Sequence, residues 1–80
     1  MNKNEVFEKV KAVILNELDV KAEKVTLQAK LKEDLGADSI DAVQIIMALE
    51  DEFEIKLEDD NLEKISTVED IVDFIMQVLK

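Results

Sequence analysis

The sequence predicts an all-α fold: a small four-helix bundle, three main helices plus one short helix, with a long first loop. Three observations predict it. Apolar residues recur at three- and four-residue spacing in three separate stretches. Apolar residues make up 48% of the chain, too many for a disordered one even with 38% charged. There is no proline, one glycine, no repeat and no low-complexity stretch, so residues 1–80 read as a single domain. That length is near the lower limit for one hydrophobic core. With no cysteine there is no disulfide or thiolate metal site to help, so stability rests on helix packing.

The first helix follows from Val6, Phe7, Val10, Ile14 and Leu18, with Asn2 or Asn4 available as a cap. From Val25 the pattern changes to alternation through Leu27, Ala29 and Leu31, and Phe53, Ile55 and Leu57 alternate as well. Two short strands are conceivable there, but an isolated pair is only marginally stable. An extended loop pinned to the core by alternate side chains is the preferred reading. The second helix runs from Ile40 to Phe53, opened by Asp38 and Ser39. A short helix is expected near Asp59 to Lys64. The last helix carries Val68, Ile71, Val72, Ile75 and Leu79, and Ser66-x-x-Glu69 reads as its capping box.

Twenty acidic residues against ten basic ones leave a net charge of -10. Such a surface repels nucleic acid and anionic membranes, since both require a positive footprint. It attracts basic partners and speeds their encounter. No apolar run approaches the ~20 residues that span a bilayer, and the first residues lack the apolar centre of a secretion signal. The expectation is a cytoplasmic monomer. Glu33, Asp34, Asp38 and Asp41 cluster, but without the ligand spacing of a calcium-binding loop, so no dedicated metal site is expected.

Leu35-Gly36-Ala37-Asp38-Ser39-Ile40 is the most informative segment. It places the only glycine just before a helix start, where a turn needs positive φ. Asp38 and Ser39 are both good N-caps, and capping alone would explain the pair. Ser39 is not a self-activated nucleophile. A serine hydroxyl needs a base, the chain has no histidine, and the adjacent Asp38 and Asp41 oppose alkoxide formation. No lysine lies near Ser39 in sequence. No catalytic residue is therefore assigned. Ser39 remains open to modification by another enzyme, at a helix N-terminus that favours a phosphate group.

Steps of about 100° per residue place Ala42, Ile45, Ile46, Leu49 and Phe53 on one face of the second helix, the expected core. Ile40, Val43 and Met47 form a second apolar stripe, bordered by Asp41, Gln44, Glu50 and Asp51. Burial on two sides would account for it in so small a bundle. An apolar strip rimmed with acids also fits a docking surface for partners with basic rims.

At Glu33 to Asp41, continuing through Met47 to Phe53, the sequence resembles the acyl carrier proteins of fatty-acid synthesis. The family attachment motif, Asp-Ser-Leu, reads Asp38-Ser39-Ile40 here, and Glu63 to Val68 also looks like the family's entry to its last helix. The resemblance implies that a phosphopantetheinyl transferase attaches 4'-phosphopantetheine from coenzyme A to Ser39. The arm's thiol would then carry acyl chains as thioesters to fatty-acid synthesis enzymes bearing basic docking patches. By match to the family, Asp38, Ile40, Asp41, Val43, Gln44, Met47, Glu50 and Asp51 are the partner-binding candidates. Three positions depart from the pattern: Ile40 replaces leucine, Gln44 a glutamate, and Glu58 a common proline.

A long acyl chain exposed to water favours burial by about 0.8 kcal/mol per methylene. Ile46, Leu49, Leu57, Leu62, Ile65, Ile71 and Ile75 are the candidate acyl pocket, core residues in the unloaded protein. The acid-rich segment with Glu58, Asp59, Asp60 and Glu63 has few apolar anchors and is expected to part from the second helix at low cost. A discrete carrier for another pathway, polyketide or aminoacyl, would share the serine, so only partner recognition separates the two. An acidic adaptor without a prosthetic group is the remaining alternative.

Overall fold

A computed structural model describes residues 2–57 and 65–79. The first helix, α1, spans Lys3–Glu17 and opens on a reciprocal cap at Asn2. The Glu5 backbone N–H donates to Asn2 Oδ1 at 2.8 Å and the Asn2 N–H to Glu5 Oε1 at 3.3 Å. Each side chain satisfies a donor that the helix start leaves unpaired. Val6, Val10 and Ile14 are fully buried. Phe7 and Leu18 pack at the edge of the core, with Leu18 already in extended backbone beyond the helix.

Two further α-helices complete the framework, α2 at Ser39–Phe53 and α3 at Val68–Leu79, and α1 packs against both. Their buried faces are Ile45, Ile46 and Leu49 on α2, and Val68, Ile71, Val72 and Ile75 on α3. Leu79, counted with the last helical stripe, is exposed. Lys3 reaches from α1 to Glu69 at 3.0 Å and to Asp73 at 3.4 Å on α3. The hydrogen bond to Glu69 holds the Lys3 ammonium above its ordinary pKa. The pair is exposed, so its effect on stability is small.

The long connection between α1 and α2 is not structureless. It contains a 3₁₀ turn at Ala22–Lys24, which the sequence pattern did not predict. Val25, Ala29 and Leu31 are buried and Leu27 is partly so, as an extended loop pinned by alternate side chains requires. The strand alternative reduces to one antiparallel bridge between Lys30 and Thr67. Around it, Leu31 N–H donates to the Ser66 carbonyl, Val68 N–H to that of Ala29, and Glu69 N–H to that of Leu27, at 2.9–3.0 Å. The loop and the entry to α3 are thus stitched together by backbone.

The predicted capping box at Ser66 and Glu69 is displaced by one residue. Thr67 Oγ1 accepts from the Asp70 N–H at 3.1 Å, and Asp70 Oδ2 accepts from the Thr67 N–H at 3.0 Å. Asp70 Oδ2 also takes the Ser66 N–H and hydroxyl. Glu69 is instead drawn to Lys3 across the helix pair. The short helix expected near Asp59 to Lys64, and with it the four-helix count, lies outside the described residues. The architecture described is all-helical, with three α-helices and one 3₁₀ turn.

Candidate functional site

Residues 30 to 37 form a closed turn that delivers Asp38 and Ser39 to the start of α2. Asp34 Oδ2 accepts the Lys30 N–H at 2.8 Å, the Asp34 and Leu35 N–H groups return to the Lys30 carbonyl, and Ala37 N–H donates to the Leu31 carbonyl at 2.8 Å. Gly36 turns the chain at φ 70°. A side chain there would meet open space, so the demand for glycine comes from the backbone conformation alone. Leu35 and Ala37 on either side are buried and anchor the turn.

Asp38 is the N-cap of α2, and Ser39 is its first helical residue. Asp38 Oδ1 accepts the Asp41 N–H at 2.9 Å and Asp41 Oδ2 accepts the Asp38 N–H at 3.2 Å. Of the two cap candidates the aspartate does the capping. Ser39 is exposed, and its Oγ has no hydrogen-bond partner among the described residues. No base is within hydrogen-bond reach of it there, so the site does not activate this hydroxyl by itself. The N–H groups of Ser39 and Ile40 are the orphan donors of the helix start, an electrostatic setting that suits a phosphodiester.

Beside Ser39 opens a groove of about 490 Å³ between α2, the first loop and α3. Its lining is mostly apolar: Leu31, Ala37, Ala42, Val43, Ile46, Ile65 and Ile71, with Lys32, Asp38 and Ser39 as the polar residues. Of the candidate acyl-pocket residues, Ile46, Ile65 and Ile71 line this groove. Leu49, Leu57 and Ile75 are buried in the core away from its lining, and Leu62 lies outside the described residues. Leu31, Ala37 and Ala42 were not singled out from sequence as groove residues. Lys32 was missed as well, because helical periodicity says nothing of the turn through Gly36 that puts it and Ser39 on the same groove. An exposed serine, orphan N–H groups and an adjoining apolar groove fit a flexible phosphate-linked arm.

The second stripe on α2 is exposed: Ile40 at 67%, Val43 at 45% and Met47 at 58%. Gln44 and Asp51 are exposed beside it and Asp41 is half-buried in the cap. This stripe therefore does not serve the described core. Glu50 differs from the other rim candidates. It is half-buried, and its Oε2 accepts the Leu57 N–H at 2.8 Å. Its carbonyl also accepts the N–H groups of Glu54 and Ile55 at the left-handed exit of α2. Glu50 therefore holds the chain leaving α2 and is not a freely presented rim charge. Among the described residues no cluster of three acidic side chains is arranged to hold a metal ion. No helix among them is long and apolar enough to cross a membrane.

A family model described as the phosphopantetheine attachment site matches residues 8–75. The acyl carrier protein of Thermosynechococcus vestitus is 51% identical over 75 residues, covering 94% of this chain and 93% of its own. That of Thermotoga maritima is 50% identical over 78 residues, covering 98% and 96%. A solved structure of the acyl carrier protein from Enterococcus faecalis matches with a TM-score of 0.78 at 42% identity, covering 98% of this chain and 99% of that one. Site geometry, family match and near-complete relatives agree, and the chain belongs to the acyl carrier protein family.

Proposed function

We propose that this protein is a single carrier domain over residues 1–80 that holds acyl chains on a 4'-phosphopantetheine arm at Ser39 and catalyses nothing itself. One observation carries the assignment of the serine. Ser39 Oγ is exposed and unpartnered among the described residues, at the first position of α2, beside an apolar groove. It stands inside the segment that matches the phosphopantetheine attachment family. When bound, the arm supplies a terminal thiol on which acyl groups ride as thioesters, chemistry that a cysteine-free chain cannot otherwise offer.

The chain's own residues do the rest. Asp38 and Asp41 cap α2 without using the Ser39 hydroxyl, leaving it accessible to a transferase. Ile40, Val43 and Met47 present an apolar strip, with Asp41, Gln44 and Asp51 beside it, to fatty-acid synthesis enzymes with basic patches. Such partners are steered by the net charge of -10. The groove lined by Ile46, Ile65 and Ile71 shelters part of the acyl chain from water. The working form is a cytoplasmic monomer.

Intact mass tests the reading. Incubation with coenzyme A and a promiscuous phosphopantetheinyl transferase is expected to add one arm, and Ser39→Ala to abolish the addition. Modification that persists in Ser39→Ala protein would move the site, and an unmodified parent protein would end the carrier assignment.

A further inference from the structure

Among the described residues that line the groove beside Ser39, the charged ones are Lys32 and Asp38. The peptide joining Leu31 to Lys32 is held against the approach to α2 by the bond from Ala37 N–H to the Leu31 carbonyl, at 2.8 Å. Among the described residues Lys32 makes no ion pair, whereas Lys3, Lys9 and Lys30 are each bound to carboxylates. The ten basic residues are all lysines, so no arginine fork competes for a phosphate. A phosphodiester on Ser39 adds a negative charge between Asp38 and Asp41, in a neighbourhood where carboxylates already repel one another. A lysine ammonium on a flexible four-carbon stem is suited to meet it as a point charge.

From this placement we infer that Lys32 is a positioning residue for the prosthetic arm: its ammonium pairs with the phosphodiester at Ser39 and directs the arm along the groove. The inference rests on the carrier reading above and adds a residue to it. A lysine joins an apolar stem to a charged head, so the two have separable roles. An exposed pair of this kind is weak and salt-sensitive. Its contribution is to bias where the arm lies, and the informative measurement is spectroscopic.

The experiment compares unloaded and arm-loaded protein by nuclear magnetic resonance, with intact mass confirming one arm on Ser39 in each loaded sample. Loading is expected to shift the Lys32 Cε and Nζ resonances but not those of Lys30, which pairs with Glu33 at 3.3 Å. The shift should shrink in about 1 M salt, where the screening length falls to roughly 3 Å. The phosphorus resonance should move in Lys32→Met, which keeps the stem and loses the charge, and return toward the parent position in Lys32→Arg. Loaded protein whose Lys32 resonances do not respond, or whose phosphorus resonance is the same in Lys32→Met, would overturn the role of Lys32 and leave the carrier reading intact. Mass that shows no arm on Ser39 would overturn both.

Discussion

Replacing Asp38 and Ser39 one at a time separates the residue that starts α2 from the residue proposed to accept the arm. Asp38→Ala removes the acceptor at 2.9 Å from the Asp41 N–H and leaves the Asp41 carboxylate without its reciprocal bond geometry. Loss of such a cap costs about 1 kcal/mol, and loss of a negative charge at a helix N-terminus adds roughly 0.5 kcal/mol. For a domain of this size the sum corresponds to a fall in melting temperature of roughly 6–12 °C. Ser39→Ala removes a hydroxyl with no partner among the described residues, so its effect should stay within about 0.5 kcal/mol, or roughly 3 °C. Thermal unfolding followed by helical circular dichroism measures both, and intact mass after transferase treatment scores loading. Asp38→Ala should melt lower and retain a modifiable serine; Ser39→Ala should melt near the parent and accept nothing. If Ser39→Ala lost as much stability as Asp38→Ala, the serine would be serving as a cap and the division of labour at this helix start would be wrong.

Other perturbations test other parts of the site. Asp70 is held below the ordinary carboxylate range, first by the backbone N–H of Ser66 and then by that of Thr67. Its stabilising effect is therefore present above the unfolded value of about 4 and is lost as pH falls through the lower folded value. Asp70→Asn should lower the urea midpoint at about pH 7, and the gap should narrow as pH falls below the unfolded value and through the lower folded one; a gap that widens in acid would contradict this. Met47→Glu and Asp51→Lys should each slow loading by a transferase, most visibly at low salt for the charge reversal, while melting temperatures stay close to the parent. Equal loading rates would place recognition elsewhere. Glu50→Lys should in addition destabilise the exit of α2 by about 1–3 kcal/mol, because it leaves the Leu57 N–H without its acceptor. In a series of acyl-loaded forms the melting temperature should rise with chain length and then level off, since a chain in the groove binds the folded state only. Ala42→Phe, which fills a wall of that groove, should flatten the rise, and a series already flat in the parent would mean the chain stays outside.

Much of the fold was legible because it is written in local periodicity. Val6, Val10 and Ile14, then Ile45, Ile46 and Leu49, then Val68, Ile71, Val72 and Ile75 lie a turn apart, and each set is buried as its spacing predicts. Gly36 before a helix start announced the positive φ it adopts. Asp38-Ser39-Ile40 marked the candidate site, although two adjacent cap formers could not reveal which would cap. The 3₁₀ turn at Ala22–Lys24 carried no periodic signal, since three residues are too few to display one.

Tertiary structure alone decided the features whose partners are distant in the chain. Ser66 and Thr67 compete to cap α3, and the bonds linking Leu27, Ala29 and Leu31 to Ser66, Val68 and Glu69 position the segment from which α3 starts. Lys3 takes Glu69 from its expected role because α1 and α3 lie side by side. Glu50 looks like every other acid beside the α2 stripe until the turn after Phe53 brings the Leu57 N–H to it. Lys32 stands seven positions from Ser39, and the turn through Gly36 brings it to the same groove. Helical spacing is a property of neighbouring dihedral angles, so the sequence by itself determined the helices, their buried faces and the helix start that bears the serine. Caps, ion pairs and groove walls depend on which separate segments meet, and that is settled only when the core closes and every buried backbone group must find a partner.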